Sequence, residues 1–260
     1  MIIGTCGVWG DESLIRAKEY GCDCVEPPLF LAAKESVEKL KKTREICDKA
    51  GLKIVTFNGM LTGNMPLLGE KDTRGPLEEY LTDAFEKASV LGGKIIVLGC
   101  GSQRTVPDGM DRETAEERFL SVLNDVVLPA AENWGLTVAL EELRREECDF
   151  INSANEARGI VKKAGRDSLK LHIDYFHTVL GGGTLEEIEG YGKDIAHVHL
   201  SSIKHFREFP KKTDVEEMAA LRTALEKAGY QGAVTFEGVV PGDFWETLKE
   251  AVWTVKAAGF

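Results

Sequence analysis

Polar and apolar residues alternate in four short segments of the second half of the chain. In residues 171–174, for example, two apolar side chains alternate with His172 and Asp174, and this period of two is that of a β-strand with one apolar face. The other three segments are residues 137–141, 196–199 and 233–237. Each segment ends on a residue that can bind a metal: Glu141, Asp174, His199 and Glu237. Because the gaps between them each suit one strand, one helix and two loops, the pattern predicts four strand ends that point to one place.

Strand-like and helix-like segments alternate along the rest of the chain without a composition break. The predicted strands are 2–6, 23–27, 53–58, 94–99, 137–141, 169–178, 195–200 and 233–237. The predicted helices are 11–20, 36–50, 76–91, 112–134, 154–164, 185–190, 214–228 and 243–257. Eight strand–helix units in 260 residues predict an α/β fold, a single (β/α)8 TIM barrel that forms one domain over residues 1–260. In such barrels the active site lies at the carboxyl ends of the strands, where the four candidate ligands are placed.

Net charge and cysteine use narrow the class of protein. The formal net charge of −11 opposes binding to phosphate backbones and anionic lipids, so we expect neither nucleic acid nor a membrane as a partner. The chain opens on a strand with no basic leader and has no long apolar run, which predicts a cytoplasmic protein. Its six cysteines are scattered and include no C-x-x-C pair, as expected for reduced thiols.

Three carboxylates and one imidazole form a hard, oxygen-rich ligand set. Such a set favours one divalent ion, Mn²⁺ before Mg²⁺, Co²⁺ or Zn²⁺. Four protein ligands leave two positions on a six-coordinate ion, enough for the carbonyl and neighbouring hydroxyl of a sugar. The ion would stabilise an enediolate while a base removes the adjacent proton. Glu141 and Glu237 belong to strands separated by two others, so we expect them on opposite sides of a substrate as an acid/base pair.

Each candidate ligand also has a structural interpretation. Glu141 could pair with a helix, and the adjacent Glu142 competes for its role, although the alternation favours Glu141. Asp174 could cap a loop, His199 could be an interior histidine, and Glu237 taken alone is similarly ambiguous. By the same alternation, His172 and His197 lie one layer deeper in the barrel. Packing is the favoured interpretation for both.

Four motifs resemble one known family. They are Val138-Ala-Leu-Glu-Glu-Leu, Ile173-Asp-Tyr-Phe-His, His197-Val-His-Leu and Val234-Thr-Phe-Glu. In this order they are similar to the ligand strands of the xylose isomerase-like TIM barrels, the sugar phosphate isomerase/epimerase superfamily that includes ketose 3-epimerases. The resemblance covers nearly the whole chain. Members of this family often form dimers or tetramers, so the resemblance leaves a homo-oligomer open as an expectation.

The resemblance implies the same four metal ligands, with the two glutamates as the acid/base pair. It also implies that His177 contacts a substrate oxygen and that Arg145 and Glu147 occupy substrate-loop positions. The alternatives are a helix cap for His177 and a solvated charge run for Arg145 and Glu147. Two features depart from the family. Glu142 replaces the usual proline, and the loop after the seventh predicted strand lacks the glutamate that the epimerases carry soon after the histidine.

That loop instead carries five basic residues: Lys204, His205, Arg207, Lys211 and Lys212. They could hold a carboxylate or phosphate, but a solvated lid is the favoured interpretation. No glycine-rich phosphate cradle follows the last two strands, so an unphosphorylated sugar or polyol is preferred as substrate. Trp9, Phe57 and Arg104 follow earlier strands and are candidates for walls of the sugar site, against loop packing as the alternative.

The leading hypothesis is therefore a metal-dependent sugar isomerase or epimerase. A lyase or dehydratase acting on a keto-sugar or inosose is the nearest alternative, because the same intermediate can expel a neighbouring group. A non-catalytic polyol-binding barrel is the alternative of a different class. An abasic-site endonuclease and xylose isomerase itself are disfavoured, because both need histidines from early strands and the first histidine here is His172.

Overall fold

The computed structural model describes residues 1–63, 65–70 and 74–260. All strand pairs are parallel, and the sheet order is β3-β2-β1-β9-β8-β7-β6-β5-β4. The strands are β1 (Ile2–Cys6), β2 (Cys24–Glu26), β3 (Lys53–Ile54), β4 (Thr56–Phe57), β5 (Ile95–Leu98), β6 (Thr137–Leu140), β7 (Leu169–Asp174), β8 (Ile195–Leu200) and β9 (Ala233–Phe236). The architecture is the predicted α/β TIM barrel.

The barrel closes through one interrupted strand. β3 and β4 stand at the two ends of the sheet order but are separated in the chain only by Val55. β3 pairs with β2, whereas β4 pairs with β5, and the carbonyl of Val55 accepts hydrogen bonds from Lys94 (2.8 Å) and Ile95 (3.1 Å). The single strand predicted at 53–58 is therefore two short pieces, because each half follows a different neighbour around the ring.

Helices cover the outside of the barrel, and most lie close to the predicted positions; the short helices at 29–32 and 175–180 were not predicted. They are α1 (Asp11–Glu19), α2 (Leu29–Ala32), α3 (Val37–Ala50), α4 (Gly75–Val90), α5 (Arg112–Val122), α6 (Leu128–Asn133), α7 (Ala154–Ala164), α8 (Tyr175–Leu180), α9 (Leu185–Tyr191), α10 (Val215–Lys227) and α11 (Phe244–Ala257). The hydroxyls of Ser36 and Ser153 cap α3 and α7, and left-handed glycines, Gly51 and Gly165, end them. These signals explain why the bounds of both helices could be predicted closely.

Two predicted elements are wrong in their extent. The helix predicted at 112–134 is interrupted by a π-helical turn, Leu123–Val127. Pro129 lies two residues after the end of this turn and has no N–H to donate, so the helical hydrogen-bond ladder has to be rearranged there. The strand predicted at 169–178 ends at Asp174, because the carboxylate of Asp174 accepts hydrogen bonds from the backbone N–H groups of Phe176 and His177 and starts helix α8.

Candidate metal and active site

The four predicted ligands meet at the carboxyl ends of neighbouring strands. Glu141 directly follows β6, Asp174 ends β7, His199 lies near the end of β8 and Glu237 directly follows β9. One ligand atom from each of the four lies within 4.8 Å of those of the other three. We call this set the four-residue cluster. Glu142 does not belong to it, because its carboxylate turns away and accepts a hydrogen bond from the Thr178 hydroxyl.

A glycine makes room for the first carboxylate. Gly99 follows β5, the neighbour of β6. A β-carbon at Gly99 would lie 2.2 Å from Oε2 of Glu141, far inside van der Waals contact. The carboxylate of Glu141 can therefore occupy its position only because residue 99 has no side chain.

Asp174 has two tasks that use different oxygen atoms. Its Oδ1 accepts hydrogen bonds from the N–H groups of Phe176 (2.8 Å) and His177 (3.2 Å) at the start of α8. Its Oδ2 faces the cluster, 3.5 Å from Arg207 Nη2 and 3.7 Å from His177 Nε2. The cap fixes the rotamer of the side chain and so directs the second oxygen towards the site. The sequence posed capping and metal binding as alternatives, but this geometry permits both.

His199 presents one ring nitrogen to the cluster and the other to the barrel interior. Its Nδ1 lies 3.4 Å from Oε2 of Glu237 and has no hydrogen-bond partner within the described ranges. Its Nε2 lies 3.0 Å from Oε1 of Glu26. The site fits a divalent cation, because three carboxylates surround a buried imidazole nitrogen that no hydrogen bond uses.

Arg207 adds a guanidinium to the same place. Its Nη2 donates to Oε2 of Glu237 at 2.8 Å, and its Nη1 donates to Oε1 of Glu147 at 3.1 Å. Both Phe206 and Arg207 have left-handed backbone conformations, with φ of 49° and 70°. The loop passes so close to Gly238 that a β-carbon there would lie 2.0 Å from the carbonyl oxygen of Arg207. Interpreting the whole basic loop as a solvated lid is therefore wrong for Arg207, which contacts the cluster.

Two of the residues implied by the family resemblance lie beside the cluster. The buried His177 has its Nε2 3.7 Å from Asp174, 3.7 Å from Glu147 and 3.9 Å from Glu141. No described residue forms a hydrogen bond with either of its ring nitrogens. Glu147 is held by Arg207 and, at 2.7 Å, by Nε of Arg144. Both side chains are thus placed to contact a molecule bound at the cluster.

The other predicted substrate residues lie further out or deeper. Arg145 is exposed and lines a groove with Leu180 and Phe206, whereas its neighbour Arg144 makes the ion pair with Glu147. Arg104 is fully buried, and its Nη1 donates to the backbone carbonyl of Glu141 at 2.7 Å. Trp9 is half-buried against the core, and Phe57 is wholly inside it. Of these, Arg104 is hydrogen-bonded to the backbone of a cluster residue.

The two glutamates of the cluster have opposite electrostatic surroundings. Burial, followed by the charge of Glu237, raises the pKa of Glu141 well above its usual range. Burial also opposes ionisation of Glu237, but His199 and Arg207 outweigh it and hold the pKa of Glu237 well below 4.5. One carboxyl group is thus biased towards the acid form and the other towards the carboxylate, the separation on which acid/base pairs rely.

Sequence reasoning missed Glu26 as a neighbour of the cluster. It is the last residue of β2 and is fully buried. Burial opposes its ionisation, but the nearby His199 and His197 lower its pKa well below 4.5. The available signal was its position, since the predicted strand 23–27 carries this carboxylate just before Pro27-Pro28. His197 is hydrogen-bonded to Glu26 rather than merely packed, whereas the ring of His172 packs edge-on against His199, with 4.0 Å between centroids.

A TIM barrel with a polar site at the carboxyl ends of its strands is the class that fold and site define. Residues 14–255 match the family described as xylose isomerase-like TIM barrel, and the chain belongs to that family. A Xenopus laevis protein named "Putative hydroxypyruvate isomerase" is 32% identical over 199 residues, covering 73% of this chain and 70% of the relative. The L-ribulose 3-epimerase of Mesorhizobium japonicum is 25% identical over 252 residues, covering 94% and 80%.

A solved structure agrees over the full length of the barrel. D-psicose 3-epimerase, in a crystal structure determined in the presence of D-fructose, superposes with a TM-score of 0.85 at 18% identity, covering 98% of this chain and 97% of the other. At this identity the likeness concerns the fold. Across the described ranges, the helices are all too short or too polar to span a membrane.

Proposed function

We propose that this protein is a divalent-metal-dependent isomerase or epimerase that moves a proton next to the carbonyl group of a small ketose or related polyol. The observation that carries the proposal is the four-residue cluster, in which Glu141 and Glu237 come from strands separated by β7 and β8. Their pKa values are displaced in opposite directions. Such a pair can hold a proton on one side of a substrate and accept one on the other.

The residues proposed to hold the ion are Glu141, Asp174, His199 and Glu237. Their carboxylate-rich composition favours Mn²⁺, with Mg²⁺, Co²⁺ or Zn²⁺ as alternatives. A bound divalent ion would act as a Lewis acid and polarise the substrate carbonyl, which makes the adjacent C–H bond acidic.

The remaining chemistry belongs to side chains of the chain itself. Glu237 is the proposed base for one face of the substrate, because Arg207 and His199 stabilise its ionised form. Glu141 is the proposed partner on the other face, because burial makes its carboxyl group the easier of the two to protonate. Together they would form and then reprotonate an enediolate.

The side chains around the two glutamates are proposed to bind and orient the substrate. His177, Glu147 and Arg207 surround the cluster and are the proposed contacts for substrate oxygens. Arg145 and Trp9 are proposed to act from the periphery, and Arg104 through its hydrogen bond to the backbone of Glu141. A cavity of about 370 Å³ opens beside Glu237, with Phe209 and Phe244 in its wall, which gives a small substrate a partly apolar surface.

The named activities of relatives support a small polyhydroxylated carbonyl compound as substrate. L-Ribulose and D-psicose appear in the names of an enzyme of similar sequence and one of similar fold. No glycine-rich cradle follows β8 or β9 in the sequence, which favours an unphosphorylated molecule. We also infer a cytoplasmic location, which fits the six unpaired cysteines. Self-association is retained as a family-based proposal.

Hydrogen exchange with solvent tests the proposal directly. The protein would be incubated in D2O with Mn²⁺, Mg²⁺, Co²⁺ or Zn²⁺ and with each of a panel of ketoses, inososes and hydroxypyruvate. We expect one deuteron to enter a carbon-bound position next to the carbonyl, together with an isomer or epimer of otherwise unchanged mass. Loss of water from the substrate would instead identify a dehydratase, and binding without exchange across the whole panel would identify a binding protein.

A further inference from the structure

Glu26 connects the four-residue cluster to the interior of the barrel. Its Oε1 lies 3.0 Å from Nε2 of His199. Its Oε2 lies 2.6 Å from Nε2 of His197 and accepts a 2.6 Å hydrogen bond from the Thr235 hydroxyl. All of these groups are fully or almost fully buried. One carboxylate from β2 thus holds side chains of both β8 and β9.

The arrangement defines which atoms carry protons. An ionised carboxylate only accepts hydrogen bonds. The contacts of Glu26 with His197 and His199 therefore each require a hydrogen on Nε2 of the histidine. For His199, this fixes Nε2 as a donor towards Glu26 and leaves Nδ1 pointing at the cluster, 3.4 Å from Glu237. The ring plane is fixed by the same contact, because the hydrogen bond prefers an in-plane approach.

We infer that Glu26 is a positioning residue that holds the Nε2–H group of His199 and thereby presents Nδ1 as the metal-binding atom. A metal-bound histidine commonly donates its other N–H to a carboxylate, which fixes its tautomer and orientation. Here the carboxylate comes from the other half of the barrel, on a strand that carries no member of the cluster. The inference rests on the proposed metal site but not on the reaction or substrate.

Packing alone does not account for a carboxylate at this position. Burying an ionised group without partners is costly, and an apolar side chain of similar size would fill the same space. The contacts of Glu26 instead use both of its oxygens on three polar side chains. This specificity is what a role in orienting His199 requires.

Glu26→Gln is the most informative variant. A carboxamide has one accepting and one donating end, so it cannot accept hydrogen bonds from two Nε2–H groups at once. One histidine must turn or change tautomer. If it is His199, Nδ1 is no longer available as a free electron pair, and we expect affinity for Mn²⁺ or Zn²⁺ to fall roughly 10- to 100-fold.

Two matched variants separate this effect from the loss of a buried carboxyl group or of a hydrogen bond. Glu142→Gln makes the same substitution at another fully buried carboxyl group, one that is hydrogen-bonded to Thr178 and not to His199. Thr235→Val removes a hydrogen bond to Oε2 of Glu26 but spares the His199 contact on Oε1. We expect both to bind Mn²⁺ within about threefold of the parent, an order-of-magnitude limit for indirect effects. Affinity would be measured by calorimetry and chelator competition, without any substrate.

Nitrogen-15 NMR reads the inferred hydrogen bond directly, because the protein has only five histidines. In the parent, metal-free or loaded with diamagnetic Zn²⁺, His199 and His197 should each show a slowly exchanging, downfield Nε2–H signal. Zn²⁺ should shift Nδ1 of His199 while its Nε2–H remains. Glu26→Gln should lose or strongly shift at least one of the two Nε2–H signals.

The inference is overturned if Zn²⁺ binds Nε2 of His199. This measurement uses the parent protein, so it can be made even if Glu26→Gln fails to fold. It is also overturned if a folded Glu26→Gln protein keeps both Nε2–H signals and parental affinity. If the NMR and affinity results hold but no substrate exchanges hydrogen, only the proposed function fails. If substrate exchanges hydrogen but His199 shows no slowly exchanging Nε2–H signal, this inference fails and the proposed function stands.

Discussion

The ends of β6 and β9 are alike in sequence but opposite in environment. Both strands are apolar and are followed by a glutamate. At the β6 end, the next residue is a second buried carboxyl group, Glu142, and the nearest imidazole, that of His177, is 3.9 Å from Glu141. At the β9 end, Glu237 lies 2.8 Å from Arg207 and 3.4 Å from His199.

The difference shows that the acid and base roles of Glu141 and Glu237 depend on residues from neighbouring strands and loops rather than on the local sequence motif. Glu141 shares its surroundings with other carboxyl groups and is pushed towards the protonated form. Glu237 contacts the guanidinium of Arg207 from the loop after β8 and the imidazole of His199 from β8 itself. Two titratable groups with pKa values pushed apart are the usual basis for dividing acid and base roles.

Replacing either cluster glutamate should have the largest effect. We expect Glu141→Gln and Glu237→Gln each to lower the interconversion rate roughly 10²- to 10⁴-fold, the usual contribution of general acid/base catalysis. If the two act on opposite faces, each variant should still exchange hydrogen with one of the two isomers but not with the other. Exchange would be followed by NMR in D2O at saturating metal.

The metal content and circular dichroism of both variants are the controls. Parental exchange by Glu237→Gln with both isomers would contradict the acid/base assignment. Loss of bound metal with an intact fold would instead show that the residue acts mainly as a ligand.

Glu142→Gln should change how stability depends on pH. Burial raises the pKa of Glu142 to about 8, so the folded state binds its proton more tightly than the unfolded state does. Its favourable contribution is present below about pH 4.5 and is lost as pH rises towards 8, by up to roughly 5 kcal/mol at about 1.4 kcal/mol per unit. The variant should lack this loss, as measured by urea unfolding of the metal-free protein at several pH values.

Glu146, an exposed residue of the same loop, offers a matched control. Glu146→Gln removes the same charge at a solvated position and should leave the pH dependence as in the parent. A parental slope in Glu142→Gln between pH 5 and 8 would show that Glu142 is not the group responsible.

Removing the positive charge of Arg207 should reduce the contrast between the two strand ends. Arg207→Met should raise the pKa of Glu237 and lower the free energy of unfolding of the metal-free protein by about 2 kcal/mol at pH 7, a value reduced for the partial exposure of both groups. Because the pKa of Glu237 is depressed, the stabilisation exists above about pH 4.5 and disappears as pH falls towards 2. The difference between variant and parent should therefore shrink in acid.

Arg207→Lys keeps a cation at this position and serves as the control. It should retain more of the stability at pH 7 than Arg207→Met does. Equal stability of the two variants would mean that the guanidinium acts through packing rather than charge.

The smallest expected effect concerns the backbone of the same loop. Phe206 is 66% exposed and has a φ of 49°, a conformation that glycine adopts without strain. Phe206→Gly should therefore be about 1 kcal/mol more stable than Phe206→Ala, although glycine usually destabilises folded chains. Thermal unfolding of the two variants would measure this, and the reverse order would show that the loop relaxes out of its left-handed conformation.

The fold and the four cluster residues could be predicted because both follow from alternation along single strands. The parity of residues 137–141 selects Glu141 over Glu142, and the structure turns these two side chains in different directions. The break at Val55 and the π-helical turn before Pro129 could not be predicted in the same way. The break at Val55 depends on how the chain follows its neighbours around the ring, whereas the turn follows from Pro129, whose effect the apolar pattern alone does not register.

The contacts of Glu26 and Arg207 lay beyond sequence patterns for a related reason. Glu26 ends a three-residue strand and meets His199, 173 residues later in the chain. Arg207 is one of several basic residues in its loop, and only the left-handed backbone at Phe206 and Arg207 directs its guanidinium inward. A non-glycine residue gives no sequence signal for such a conformation.

Gly99 and Gly238 make the site sensitive to mutations at two uncharged positions. A methyl group at residue 99 would displace the Glu141 carboxylate, and one at residue 238 would push away the backbone that carries Arg207. A genetic screen for inactive variants should therefore recover alanine at both glycines alongside changes to the acidic residues. Efforts to retarget the barrel to another sugar should keep these glycines unchanged and vary the apolar wall at Phe209 and Phe244 instead.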